Sequence, residues 1–162
     1  MRIVRDTREQ RGYRFEGPAY ADVTVEDGTL NVGDYSLAGL GDKVAVERKS
    51  LPDLVQCLGR ERERFARELQ RAVALDAFCV VVEASWQDLA SGQYRSQLSP
   101  RAACQSVLSF MARLGISFIF AGNRSAAEYI TAYFLRQYLE GARKRWATIV
   151  KAHGDGSGGE AA

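Results

Sequence analysis

A mixed α/β fold is predicted for this 162-residue chain by three features of its sequence. Short Val-rich runs bounded by Gly and polar residues fill the first fifty positions, helical periodicity takes over after Ser50, and two apolar runs each follow a helical segment. Four strands are expected before the first helix, at residues 2–6, 21–25, 35–38 and 43–49. They read as antiparallel, the last two joined as a hairpin across "GLGD". Ser50 then serves as an N-cap, with Pro52 in the first turn and Asp53 three residues on, and starts a short helix to residue 58. A longer helix is expected over 61–75.

The second half follows the same logic. "FCVVVEA", residues 78–84, is a continuous apolar run and predicts a buried strand, and "SWQDLASG" predicts a short capped helix. Ser99 with Pro100 opens another helix that Gly115 closes, and "ISFIFA", residues 116–121, is the last strand. The final helix is expected to start at Ser125, with Glu128 as its capping-box partner, and to pass Trp146. Crossovers of these later units are expected to be right-handed. Residues 1–152 form one domain in this reading, and the Gly-rich residues 153–162 form a flexible tail.

Composition bounds the function. With 46% hydrophobic and 26% charged residues and a formal charge of +2, the chain is ordinary for a globular protein, and net charge alone does not announce a nucleic acid. The charged N-terminus lacks the apolar segment of a secretory signal, and no apolar run reaches membrane-spanning length, which predicts a cytoplasmic protein without membrane attachment. Cys57, Cys79 and Cys104 sit singly in apolar segments and His153 is the only histidine, so buried reduced thiols are expected rather than zinc or disulfides.

The chemistry concentrates in "VAVERKSLPDL", residues 44–54, where three charged residues follow a run of buried-strand character. On a strand Glu47 and Lys49 share one side while Arg48 points to the other. A carboxylate beside an ammonium suits a metal-dependent phosphodiesterase, the first holding a cation and the second acting on water or phosphate charge. Asp34, in "NVGDY" on the adjacent strand, converges on Glu47, and the backbone carbonyl of Arg48 adds a further oxygen for Mg²⁺ or Mn²⁺. Lys49 would orient or help deprotonate the attacking water. The Arg48 side chain, turned away, is expected to form a structural ion pair.

"IVRDTRE", "GDYSL" and "VERKSLPDL", in this order and spacing, resemble the nuclease domain of the XPF family of structure-specific endonucleases, with its signature G-D-x(n)-E-R-K-x(3)-D. The resemblance implies a restriction-endonuclease-like fold, a mixed sheet flanked by helices, and a metal-dependent DNA endonuclease that leaves a 5′-phosphate on branched or flapped DNA. It further implies Asp34 and Glu47 as metal ligands, Lys49 as the catalytic lysine, Asp6 as a further acid at the metal, and Asp53 as a supporting acid. Asp53 reads equally well as a capping residue. Neither a helicase portion before Met1 nor, after the last helix, the paired helix-hairpin-helix module of larger members is expected, so a partner is expected to supply part of the DNA grip. Two other readings are a non-catalytic member that binds DNA or a partner chain, and a restriction-like or junction-resolving nuclease of the same fold.

Two surfaces complete the expectation. Arg60, Arg64, Arg67 and Arg71 recur at helical spacing as a face for DNA phosphates, although Glu61, Glu63 and Glu68 dilute it and a solvated helix is the plainer reading. Tyr129, Tyr133, Phe134, Tyr138 and Trp146 give the final helix an aromatic band wider than one sheet face covers, which predicts a homodimer through the last two helices.

Overall fold

In the computed structural model, which describes residues 1–154, six strands form one sheet: β1 (Arg2–Asp6), β2 (Thr24–Gly28), β3 (Tyr35–Leu37), β4 (Val44–Lys49), β5 (Ala77–Val82) and β6 (Ser117–Phe120). The helices are α1 (Leu51–Leu58), α2 (Arg62–Ala72), α3 (Trp86–Ala90), α4 (Pro100–Leu114) and α5 (Arg124–His153). The strand order is β2-β1-β3-β4-β5-β6, and β3 alone runs against its neighbours. The other five strands therefore end along one edge of the sheet, where open α/β folds form their clefts.

Side-chain alternation splits the core in two. On one face Val80, Val82 and Phe118 pack under α1, α2 and α4 through Leu54, Phe65, Leu69 and Val107. On the other, Ile3, Tyr35, Val44, Val46 and Val81 pack under α5 through Ala127, Ala132 and Leu135. Among the described residues no helix is long and apolar enough to cross a membrane. Cys57, Cys79 and Cys104 are free thiols, the first two buried.

Three local expectations are corrected. The second strand lies three residues later than expected and pairs with β1 in parallel, Arg2 opposite Thr24. The long connection between them makes this possible, because it crosses the α5 face, buries Tyr13 and Phe15 there, and returns the chain to its starting end. The cap of α5 is Asn123, whose side chain accepts from the Ala126 N–H, and Glu128 instead accepts from the N–H groups of Arg14 and Phe15 at 3.0 and 2.6 Å. Finally, α5 runs through His153, a residue assigned above to the tail; residues 155–162 lie outside the described residues.

Candidate active site

The strand parity places the pair as its sequence demands. Val44 and Val46 face α5, so Arg48 does too, while Glu47 and Lys49 turn toward α1 and α2. Lys49 Nζ bonds the Glu47 carboxylate, and both side chains are mostly buried, 14% and 15% exposed. Asp34 stands just before β3 on the same side. Its backbone N–H donates to the Val46 carbonyl at 2.8 Å, its own carbonyl accepts from the Asp6 N–H at 2.8 Å, and its carboxylate accepts from the Arg48 N–H at 2.8 Å. The Lys49 carbonyl accepts from Glu83 on the β5 side. Arg48, one residue earlier, therefore turns its N–H and carbonyl toward Asp34.

Asp34 can approach so closely because Gly33 precedes it. Gly33 has φ of +77°, and a Cβ there would stand 2.9 Å from the Ala45 Cβ and 3.0 Å from the Val46 carbonyl oxygen. A left-handed residue and a backbone collision together set the expected effect. Gly33→Ala should lower stability by roughly 2–4 kcal/mol in a denaturant melt, and a melt within 0.5 kcal/mol of wild type would contradict this packing.

The electrostatics follow from burial. Asp34 is pushed up from the usual carboxylate range by desolvation and then by the Glu47 charge. Burial raises Glu47 as well, against the pull of Lys49. Burial disfavours the Lys49 charge, but Glu47 and Asp34 outweigh it and raise its pKa, so the amine is a firmly held cation. Two desolvated carboxylates and a carbonyl directed at them are hard oxygen donors short of positive charge, a set that fits Mg²⁺ or Mn²⁺. Among the described residues no three His, Cys, Asp or Glu side chains converge as a metal-holding group, so the donor set is the carboxylate pair plus backbone.

Asp6 lines the same cavity as Asp34 and Glu47, but its carboxylate is already engaged. It is 2% exposed, and its oxygens accept from the Arg8 guanidinium at 2.7 and 3.0 Å and from the Leu30 N–H at 2.8 Å. Arg8 holds its carboxyl down at about 2. Asp6 thus fixes Arg8 at the rim of the cavity. Asp53 is exposed; its N–H and carboxylate both meet Ser50 Oγ, which is N-terminal capping of α1.

The arginine stripe is shorter than expected, since α2 begins at Arg62 and leaves Arg60 in the turn after Gly59. Arg64 and Arg71 line the same cavity, of about 240 Å³, as Asp34, Glu47 and Lys49, whereas Arg67 is exposed outside it. Arg64 is tied to Glu61 and, at 2.9 Å, to Glu68. Glu68 also lines the cavity and was legible only as a dilution of charge; its i,i+4 spacing from Arg64 is the signal that places it beside the site.

On the opposite face the Arg48 guanidinium makes a two-pronged contact with Glu83 at 2.9 and 2.7 Å and lies 3.6 Å from Glu9. Glu83 also binds Arg124 at 2.8 Å. The Arg48 side chain is therefore a structural anchor, and its backbone is what reaches the carboxylate pair.

The ERCC4 domain family matches residues 5–134. Among solved structures, XPF from Aeropyrum pernix is 20% identical, with a TM-score of 0.64 over 94% of this chain and 73% of that one. XPF from Aeropyrum pernix in complex with DNA is likewise 20% identical, with a TM-score of 0.65 over 86% of this chain and 65% of that one. Comparison with curated proteins gives no match. The mixed sheet flanked by helices on both faces is thus the XPF nuclease fold, and the chain belongs to the ERCC4 domain family.

Proposed function

We propose that the chain is a Mg²⁺- or Mn²⁺-dependent endonuclease that hydrolyses DNA phosphodiester bonds, acting on branched or flapped DNA in repair or recombination. One observation carries this reading: Asp34, just before β3, and Glu47 and Lys49 of β4 line one cavity with Arg8 and Arg64 at the carboxyl edge of the sheet. A divalent cation held by Asp34, Glu47 and the Arg48 carbonyl would supply charge neutralisation at the phosphate and acidify a bound water. The Arg48 N–H fixes the direction of the Asp34 carboxylate. Lys49, being charged and held by Glu47, orients the attacking water or a phosphate oxygen rather than accepting a proton. Arg8, fixed by Asp6, and Arg64 add positive charge where a phosphate enters. The products would be a 5′-phosphate and a 3′-hydroxyl, in a cytoplasmic setting that suits three free thiols.

The test is a panel of end-labelled single-stranded, duplex, flap, fork and four-way DNA with Mg²⁺, Mn²⁺ or chelator. Metal-dependent internal cuts, fastest on flap or fork, are expected. No cutting of any substrate with either metal would refute the reading.

A homodimer through α4 and α5 goes with it. The first half of α5 packs on its own sheet, where Phe134, Tyr138 and Leu139 are partly covered, but Trp146 and Ile149 further along are 62% and 49% exposed. Large apolar groups left in water beyond the sheet favour a second copy. Light scattering at micromolar concentration should give twice the chain mass, and a concentration-independent monomer mass would contradict the dimer.

A further inference from the structure

The connection between β1 and β2 is held more firmly than a surface loop of its length requires. Arg124 donates to the carbonyls of Arg11 and Gly12 at 2.5 and 3.1 Å, and Glu128 accepts from the N–H groups of Arg14 and Phe15. The Tyr13 N–H donates to the Tyr35 hydroxyl at 2.8 Å. Phe15, 4% exposed, takes φ of +52°, the one left-handed non-glycine among the described residues. Backbone strain of this kind persists only where its surroundings over-determine it, and it gathers at working sites.

What this rigid loop presents is positive charge. A cleft of about 620 Å³ on the α5 side is lined by Arg5, Arg11, Arg14, Arg48 and Arg124, with Glu9 and Glu83 among them. Arg48 is bound by Glu83 and Glu9, Arg124 by Glu83, and Arg5 by Asp27 at 2.8 Å. Arg11 and Arg14 are exposed and, among the described residues, their side chains make no ion pair or hydrogen bond. The cleft is continuous with the active site. A middle cavity shares Asp34, Lys49 and Arg64 with the catalytic one and Arg11, Arg48 and Glu9 with the arginine-lined one. The path thus leaves the carboxylate pair, crosses the strand ends, and arrives at two unpaired guanidiniums on a preorganised loop.

We infer that Arg11 and Arg14 are a DNA backbone clamp, binding phosphates of the substrate away from the bond that is cut, on the α5 face of the sheet. The inference rests on the nuclease reading above and assigns the grip to a loop that the α2 stripe does not include. Fixed backbone and free guanidiniums suit it: the loop is ordered before DNA arrives, so binding costs little more than two side chains' freedom. Contacts to phosphate carry no sequence information, so the clamp is indifferent to base sequence.

The experiment is fluorescence anisotropy of a labelled flap DNA in chelator, where cutting is absent, over a series of salt concentrations. The R11Q/R14Q protein should bind more weakly, with a log-log salt slope smaller by roughly 1.4–1.8, the release of counterions from two contacts. K43Q, an exposed residue just before β4 and so at the opposite end of that strand from the clefts, should keep the wild-type slope, and thermal melts of all three proteins should coincide. Wild-type slope and affinity in R11Q/R14Q would overturn the clamp while leaving the nuclease reading to the cleavage panel. Absence of DNA binding by the wild type would overturn both.

Discussion

Asp34→Asn and Glu47→Gln are each expected to lower the rate of DNA cleavage by about a thousandfold or more, some 4 kcal/mol of lost barrier stabilisation, with the fold kept. The physical reason lies in the burial of both carboxylates. Both charges are disfavoured by desolvation, and that of Asp34 also by the Glu47 charge. A chain selected for stability alone would not keep them. The neutral amide at 34 retains an oxygen for the Arg48 N–H and sheds a strained charge, so Asp34→Asn should melt at or above the wild-type temperature at neutral pH. Glu47→Gln differs, because it leaves Lys49 without its carboxylate partner, and it should melt somewhat lower. Loss of cutting together with an unchanged or raised melting temperature marks Asp34 as functional. Wild-type cleavage by Asp34→Asn, measured on end-labelled DNA, would remove it from the mechanism.

Arg48→Met carries the largest expected effect on stability. Arg48, Glu83 and Glu9 have side chains 7%, 10% and 7% exposed. Removing the guanidinium strands two carboxylates in a desolvated position, at a cost of about 3–5 kcal/mol, or a fall in melting temperature of roughly 10 °C. The contact of Glu83 with Arg124 places the expectation toward the lower end. Arg48→Lys keeps the charge but loses the two-pronged geometry and should fall between. Adding Glu83→Gln to Arg48→Met should restore part of the loss, since one orphaned charge disappears with it. A melting temperature for Arg48→Met within about 2 °C of wild type would show that the network is not what joins the first loop, β4 and β5.

Much of this was legible in the sequence; what was not falls to pairings between distant residues and to competition between near neighbours. The parity of Glu47, Arg48 and Lys49 follows from strand geometry alone, and so both the cavity face and the anchoring role of Arg48 could be read in advance. Asp34 was legible because a hairpin brings it to the end of β4. Some missed features depend on pairings between distant residues. No local signal sets β2 parallel to β1, or sends Glu128 to the N–H groups of Arg14 and Phe15, more than a hundred residues away along the chain. Ser125 and Asn123 are both good capping residues, and the choice fell to Asn123 because the helix starts a turn's fraction earlier. Asp6, read as a metal ligand by resemblance, does line the cavity; what the resemblance did not foretell is that Arg8, two residues on, folds back and pairs with its carboxylate. Arg60 left the stripe because Gly59 interrupts the helix before it.

Calorimetric titration of Mn²⁺ into the protein without DNA tests most directly whether Asp34 and Glu47 form a divalent-cation site. The wild type should bind Mn²⁺ with heat that saturates near one ion per chain, and Glu47→Gln and Asp34→Asn should each weaken that binding at least tenfold, about 1.4 kcal/mol. Equal Mn²⁺ affinity in the wild type and both variants would contradict the account.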